Sequence, residues 1–80
     1  LQALSLAHNT LTQLPPQLGQ LTALQRLELR GNQLTILPEA LGDCAALAEL
    51  DAAYNCLSTL PDTLGKLQKL RSLLLDRNRC

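Results

Sequence analysis

Leucine recurs along this chain at two alternating spacings, and each spacing predicts a different element. At Leu4-Ser5-Leu6 and Leu27-Glu28-Leu29 apolar and polar positions alternate with a period of two, as in a strand with one buried face. Farther along, apolar residues fall three apart, at Leu18 and Leu21 and again at Leu64 and Leu67. These stretches follow Pro15, Pro38 and Pro61, which suit the opening of a helical turn, so short helical or 3₁₀ segments are predicted. Gly19, Gly42 and Gly65 sit where so brief a segment must end or turn sharply, and a positive φ is expected there.

The alternation copies itself every 23 residues: Leu1, Leu4 and Asn9 return as Leu24, Leu27 and Asn32, then as Leu47, Leu50 and Asn55, then as Leu70, Leu73 and Asn78. The chain divides into one array of repeats 1–23, 24–46 and 47–69 with a partial repeat 70–80. Each unit is one coil of strand, turn, short helix and return. Copies of such a coil stack only with their strands parallel and their crossovers right-handed. The predicted fold is therefore α/β: a right-handed solenoid with a parallel β-sheet on its concave side and short helical or 3₁₀ turns on its convex side. A lone coil buries too little to offset the entropy of ordering it, so stability has to come from contacts between coils. The chain opens on the first position of a repeat and stops partway through another, and a fragment of a longer array is expected.

Asn9, Asn32, Asn55 and Asn78 form a column where the chain leaves the strand and its backbone groups lose ladder partners. An amide can both donate and accept there, so this column is read as structural. With Leu1, Leu4, Leu6, Asn9, Leu11, Leu14, Pro15, Leu18, Gly19 and Leu21 echoed unit after unit, the whole chain resembles the leucine-rich repeats. Its Leu-Pro-x-x-Leu-Gly-x-Leu half is similar to the subclass found in intracellular Ras-group, Scribble and Erbin-type arrays. That resemblance implies a protein-binding scaffold in signalling that uses the concave sheet, with a small GTPase or a phosphatase or kinase complex among plausible partners. Three positions depart from the pattern: Ala52 and Cys44 stand where leucine is expected, as does Cys80.

Between and just after the inward leucines, four columns face solvent on the expected sheet: Ala3, Arg26, Glu49 and Ser72; Ser5, Glu28, Asp51 and Leu74; Ala7, Arg30, Ala53 and Asp76; and His8, Gly31, Tyr54 and Arg77. The scaffold does not dictate these residues, so specificity is assigned to Arg26, Glu28, Arg30, Glu49, Asp51, Tyr54, Asp76 and Arg77. Glu28 and Asp51 are expected as like-charged neighbours, relieved either by a cationic partner or by the flanking arginines, with Arg26 pairing Glu49. Tyr54, the sole aromatic, is expected near Arg77.

Composition removes other classes. Formal net charge is zero, with acidic and basic residues interleaved, which argues against a nucleic-acid partner, and no apolar run is long enough for membrane insertion. His8 is the only histidine and has no nucleophile beside it, so catalysis is not expected, nor is any cofactor or metal. The three cysteines show no ligand or redox spacing and no flanking cluster, and no Asn-x-Ser/Thr sequon occurs, which favours a cytoplasmic location. Other readings also remain: the array as sensing or autoinhibitory arm of a larger enzyme, such as a kinase, ubiquitin ligase or nucleotide-switched receptor, or as a mechanical spacer.

Overall fold

Each unit lays down one short strand where its leucines alternate: β1 (Ala3–Ser5), β2 (Arg26–Glu28), β3 (Glu49–Asp51) and β4 (Ser72–Leu74). The computed structural model describes residues 2–78; the scaffold roles expected for Leu1 and Cys80 lie outside the described residues. The strands pair in chain order, all parallel, with Leu4, Leu27, Leu50 and Leu73 in one row. A constant repeat length makes that register automatic, because equal stretches of chain separate equivalent positions. The ladder outruns the strands. Leu6, Leu29 and Ala52 donate their N–H groups to the carbonyls of Glu28, Asp51 and Leu74 at 2.7–2.8 Å, and His8, Gly31 and Tyr54 donate to Arg30, Ala53 and Asp76 at 2.8–3.1 Å.

Opposite the sheet run three 3₁₀ turns, Pro16–Gln20, Glu39–Asp43 and Asp62–Lys66. Each follows a proline in extended conformation, Pro15, Pro38 and Pro61, with φ between −73° and −68°. The pyrrolidine ring fixes that φ and disfavours helix at the residue before it, so the turn starts where the proline allows. Consecutive turns pack against each other as the strands do, and the leucines fill the space between the two layers. The result is a right-handed solenoid with a concave parallel sheet and 3₁₀ turns on the convex side, as the repeat predicts.

Burial along the array shows where stability originates. Leu27 and Leu50, each flanked by coils on both sides, are 0% and 1% exposed, whereas the equivalent Leu73 is 37% exposed. The same residue in the same register is core or surface according to its neighbours, which is how a solenoid differs from a domain with a single centre. Ala52 and Cys44 take their leucine positions as fully buried apolar groups.

The asparagine column joins coil to coil. Asn55 donates through Nδ2 to the Leu29 carbonyl of the preceding coil at 2.9 Å and to the Ala52 and Ala53 carbonyls of its own coil at 3.0 and 3.1 Å. Its Oδ1 accepts the Leu34 N–H at 3.2 Å. Asn32 and Asn78 repeat the arrangement, bonding Leu6, Leu29 and Leu11 in one case and Ala52, Leu75 and Leu57 in the other. Among the described residues, exposed Asn9 bonds within its own coil, to the carbonyls of Leu6 and Ala7.

The expectation for the convex glycines is overturned. Gly19, Gly42 and Gly65 do not have positive φ; among the described glycines only Gly31 does, at 76°. Gly19 and Gly42 are required for close approach instead. A Cβ on Gly19 would lie 2.5 Å from the Ala40 carbonyl oxygen of the next coil, and one on Gly42 would lie 2.6 Å from both Cβ and the carbonyl oxygen of Thr63. The side chain of Thr63 donates to the Glu39 carbonyl at 2.7 Å, which helps hold the two turns at that spacing.

Chemical denaturation is expected to rank these contacts. Gly42→Ala should lose about 1–3 kcal/mol through overpacking against backbone, whereas Gly65→Ala, with nothing within 4 Å of its added Cβ, should stay within about 0.5 kcal/mol of the parent. Asn55→Ala orphans buried groups in two coils and should cost about 3 kcal/mol, against less than about 1 kcal/mol for Asn9→Ala.

Candidate interaction surface on the concave sheet

Two columns of the expected surface form where period-two alternation holds. Ala3, Arg26, Glu49 and Ser72 are register partners across β1 to β4, as are Ser5, Glu28, Asp51 and Leu74. In the first column Arg26 Nε lies 3.0 Å from Glu49 Oε1, the expected pair. The hydrogen bond to Glu49, reinforced by its charge and that of Glu28, raises the Arg26 pKa, so the guanidinium stays protonated at any ordinary pH. Both side chains are well exposed, so the pair orients more than it stabilises.

In the second column Glu28 and Asp51 stand side by side, as expected. Relief comes from within the chain: Arg30 Nη1 lies 3.3 Å from Asp51 Oδ2, while Asp51 Oδ1 accepts the Ala53 N–H at 3.1 Å. Asp51 is thus held from two sides. Glu28 makes no ion pair among the described residues and remains the free carboxylate of the column. A recess of about 220 Å³ opens along this part of the sheet, with Arg26, Glu28, Glu49, Asp51, Ser72 and Leu74 around it.

Past residue 51 and its equivalents the alternation fails. Ala53, expected on the solvent face with Arg30 and Asp76, is fully buried. The reason lies one residue on: His8, Tyr54 and Arg77 have φ of 60°, 59° and 60°, and Gly31 has 76°. The chain turns through a left-handed position in every coil, so the strand rule for which way a side chain points no longer applies just before it. The glycine at position 31 was the sequence signal for this turn. Tyr54, 47% exposed, projects from that turn and stacks against Arg30, whose guanidinium carbon lies 4.7 Å from the ring centroid. The expected neighbour Arg77 does share an open recess with Tyr54, together with Leu75 and Asn78. Asp76 and Arg77 are exposed and form no ion pair among the described residues. Arg30 is therefore the hub of the surface, bound to Asp51 and stacked on Tyr54, a role its sequence position did not reveal.

Residues 1–55 match the family model for leucine rich repeats. The chain belongs to the leucine-rich repeat family. It is similar to a solved leucine-rich repeat protein of Leptospira interrogans, with 45% sequence identity and a TM-score of 0.91 over 94% of this chain. The match covers 19% of that longer protein, so the present repeats span about a fifth of its length. No curated protein matches the chain in sequence. Leucine-rich repeats serve generally as protein-interaction modules and are typically not enzymes.

Cys44 is a buried free thiol whose Sγ donates to the Leu18 carbonyl at 3.4 Å. Burial, with a smaller contribution from the charge of Asp43, raises its pKa and keeps it a neutral thiol near pH 7. Cys56 is disulfide-bonded. Among the described residues no group of three or more His, Cys, Asp or Glu is placed to hold a metal ion, and no helix is long and apolar enough to cross a membrane.

A double-mutant cycle tests the hub. Arg30→Ala and Tyr54→Leu are expected to couple by about 0.5–1 kcal/mol in unfolding free energy, and additive losses would show that the stack contributes nothing.

Proposed function

We propose that this array binds a folded protein partner across its concave sheet through Arg26, Glu28, Arg30, Glu49, Asp51, Tyr54, Asp76 and Arg77, as a module in intracellular signalling. The reading rests on where the repeat stops repeating. Scaffold positions recur and are largely buried, while the sheet columns change from coil to coil and carry charged and aromatic side chains in fixed register. The Arg26–Glu49 and Arg30–Asp51 pairs hold those side chains in place before a partner arrives, which lowers the entropy lost on binding.

Size bounds the proposal. Four strands about 4.8 Å apart, each offering about five residues, present roughly 300 Å² of sheet. A stable interface takes about 800 Å² from each partner, so further repeats of a parent chain or the adjoining loops complete the surface. The greater length of the Leptospira relative is in keeping with such an extension. A cytoplasmic location belongs to the same proposal. The disulfide at Cys56 is the observation it must accommodate, and trapping thiols with an alkylating reagent at the moment of cell lysis distinguishes a reduced Cys56 from an oxidised one.

The direct test is affinity capture from lysate with the wild-type array and with an Arg26→Ala/Glu49→Ala/Tyr54→Ala variant of matched folding. A protein retained by the first and lost by the second is the expected result. Equal retention by both removes the concave face from the proposal.

A further inference from the structure

Away from the sheet, one scaffold-independent position breaks its own column. Residues 13, 36 and 59 are equivalent, and Gln13 and Thr59 are polar, yet position 36 carries the chain's only isoleucine. Ile36 is 57% exposed, the most exposed of the large apolar side chains among the described residues. It borders a recess of about 280 Å³ between the second and third coils, whose other walls come from Leu37, Thr59, Leu60 and Pro61. Leu60, from the third coil, faces Ile36 across it as a second large apolar lining residue.

The rim is charged with one sign. Glu39 and Asp62 occupy equivalent positions in the first turn of consecutive 3₁₀ segments, and both line this recess. Both are exposed, and neither forms an ion pair with a basic side chain of the described residues. On the sheet Glu49 and Asp51 have arginine partners, while Glu28 and Asp76 share the unpaired state of Glu39 and Asp62 among the described residues. An apolar floor beside two unpaired carboxylates selects against anionic ligands and favours a group that is apolar along its body and cationic at its end. The volume falls short of the roughly 300–1,000 Å³ of small-molecule sites and suits one or two inserted side chains.

We propose that this recess is a second docking surface, separate from the concave sheet, for a segment of a partner protein that inserts an apolar side chain against Ile36 and Leu60 and places a neighbouring Lys or Arg between Glu39 and Asp62. It works independently of concave-face recognition.

The test is a phage-displayed random peptide library panned on the intact protein, followed by fluorescence-polarisation affinities for the enriched peptides. Expected are peptides that combine an aliphatic or aromatic residue with Lys or Arg within about one helical turn. They should lose about tenfold or more in affinity for Ile36→Ser and for Glu39→Lys/Asp62→Lys, and keep it for Arg26→Ala/Glu49→Ala. Ile36, Glu39, Asp62 and Arg26 are exposed and Glu49 is half-buried, and unchanged thermal unfolding of each variant verifies the comparison. Absence of enriched peptides, enriched peptides without basic residues, or unaltered affinity for Ile36→Ser would overturn the proposal. So would loss of affinity confined to Arg26→Ala/Glu49→Ala, which assigns the peptides to the sheet, or a dimer in sedimentation that Ile36→Ser dissolves, which assigns the recess to a second copy of the chain.

Discussion

The asparagine amide that spans two coils is the interaction on which the rest of this molecule depends. Each coil ends its strand at a left-handed turn, and a turn at that depth exposes carbonyl and N–H groups that no ladder can satisfy. One amide meets donors and acceptors on both sides of the coil boundary, as the four bonds of Asn55 illustrate. Leucine burial then follows, since the rows Leu24, Leu47 and Leu27, Leu50 exclude water only when the coils are held in contact. Hydrogen bonding supplies the register and the hydrophobic effect supplies most of the driving force. Neither would build the solenoid alone.

Much of this was legible in the chain because a repeat displays the same experiment several times. A single Leu-x-Leu is ambiguous, but four in one register specify a parallel sheet, and four asparagines at the strand exit specify the column. Sequence and structure part where one residue type has two physical uses. Glycine permits a positive φ and it also permits contact with another backbone, and Gly19 and Gly42 serve the second use while Gly31 serves the first. Which use applies depends on what lies in the next coil, and that is tertiary information. Ala53 departs from the strand pattern for a related reason: period-two alternation ends with the strand, and the backbone makes a left-handed turn at residue 54.

The candidate surface was legible in membership and not in wiring. The columns through Arg26 and Glu28 follow from strand geometry alone, and so does the Arg26–Glu49 pair. Which carboxylate Arg30 would choose does not. Glu28 is nearer in sequence, but Asp51 is the one it contacts, with the Tyr54 ring beneath the same guanidinium. That choice leaves Glu28 as the unneutralised charge of its column, so the electrostatic character of the sheet is set by a side-chain rotamer as much as by composition.

The close approach at Gly19 and Gly42 has a geometric consequence for the whole array. Sheet hydrogen bonding fixes how far apart successive coils sit on the inner side, and the contact of glycine with the next backbone fixes it on the outer side. The difference between those two spacings is the curvature. A bulkier residue on the outer side would wedge the turns apart and curl the solenoid more tightly, so the size of object that the inner face can embrace is governed by side chains that never touch it.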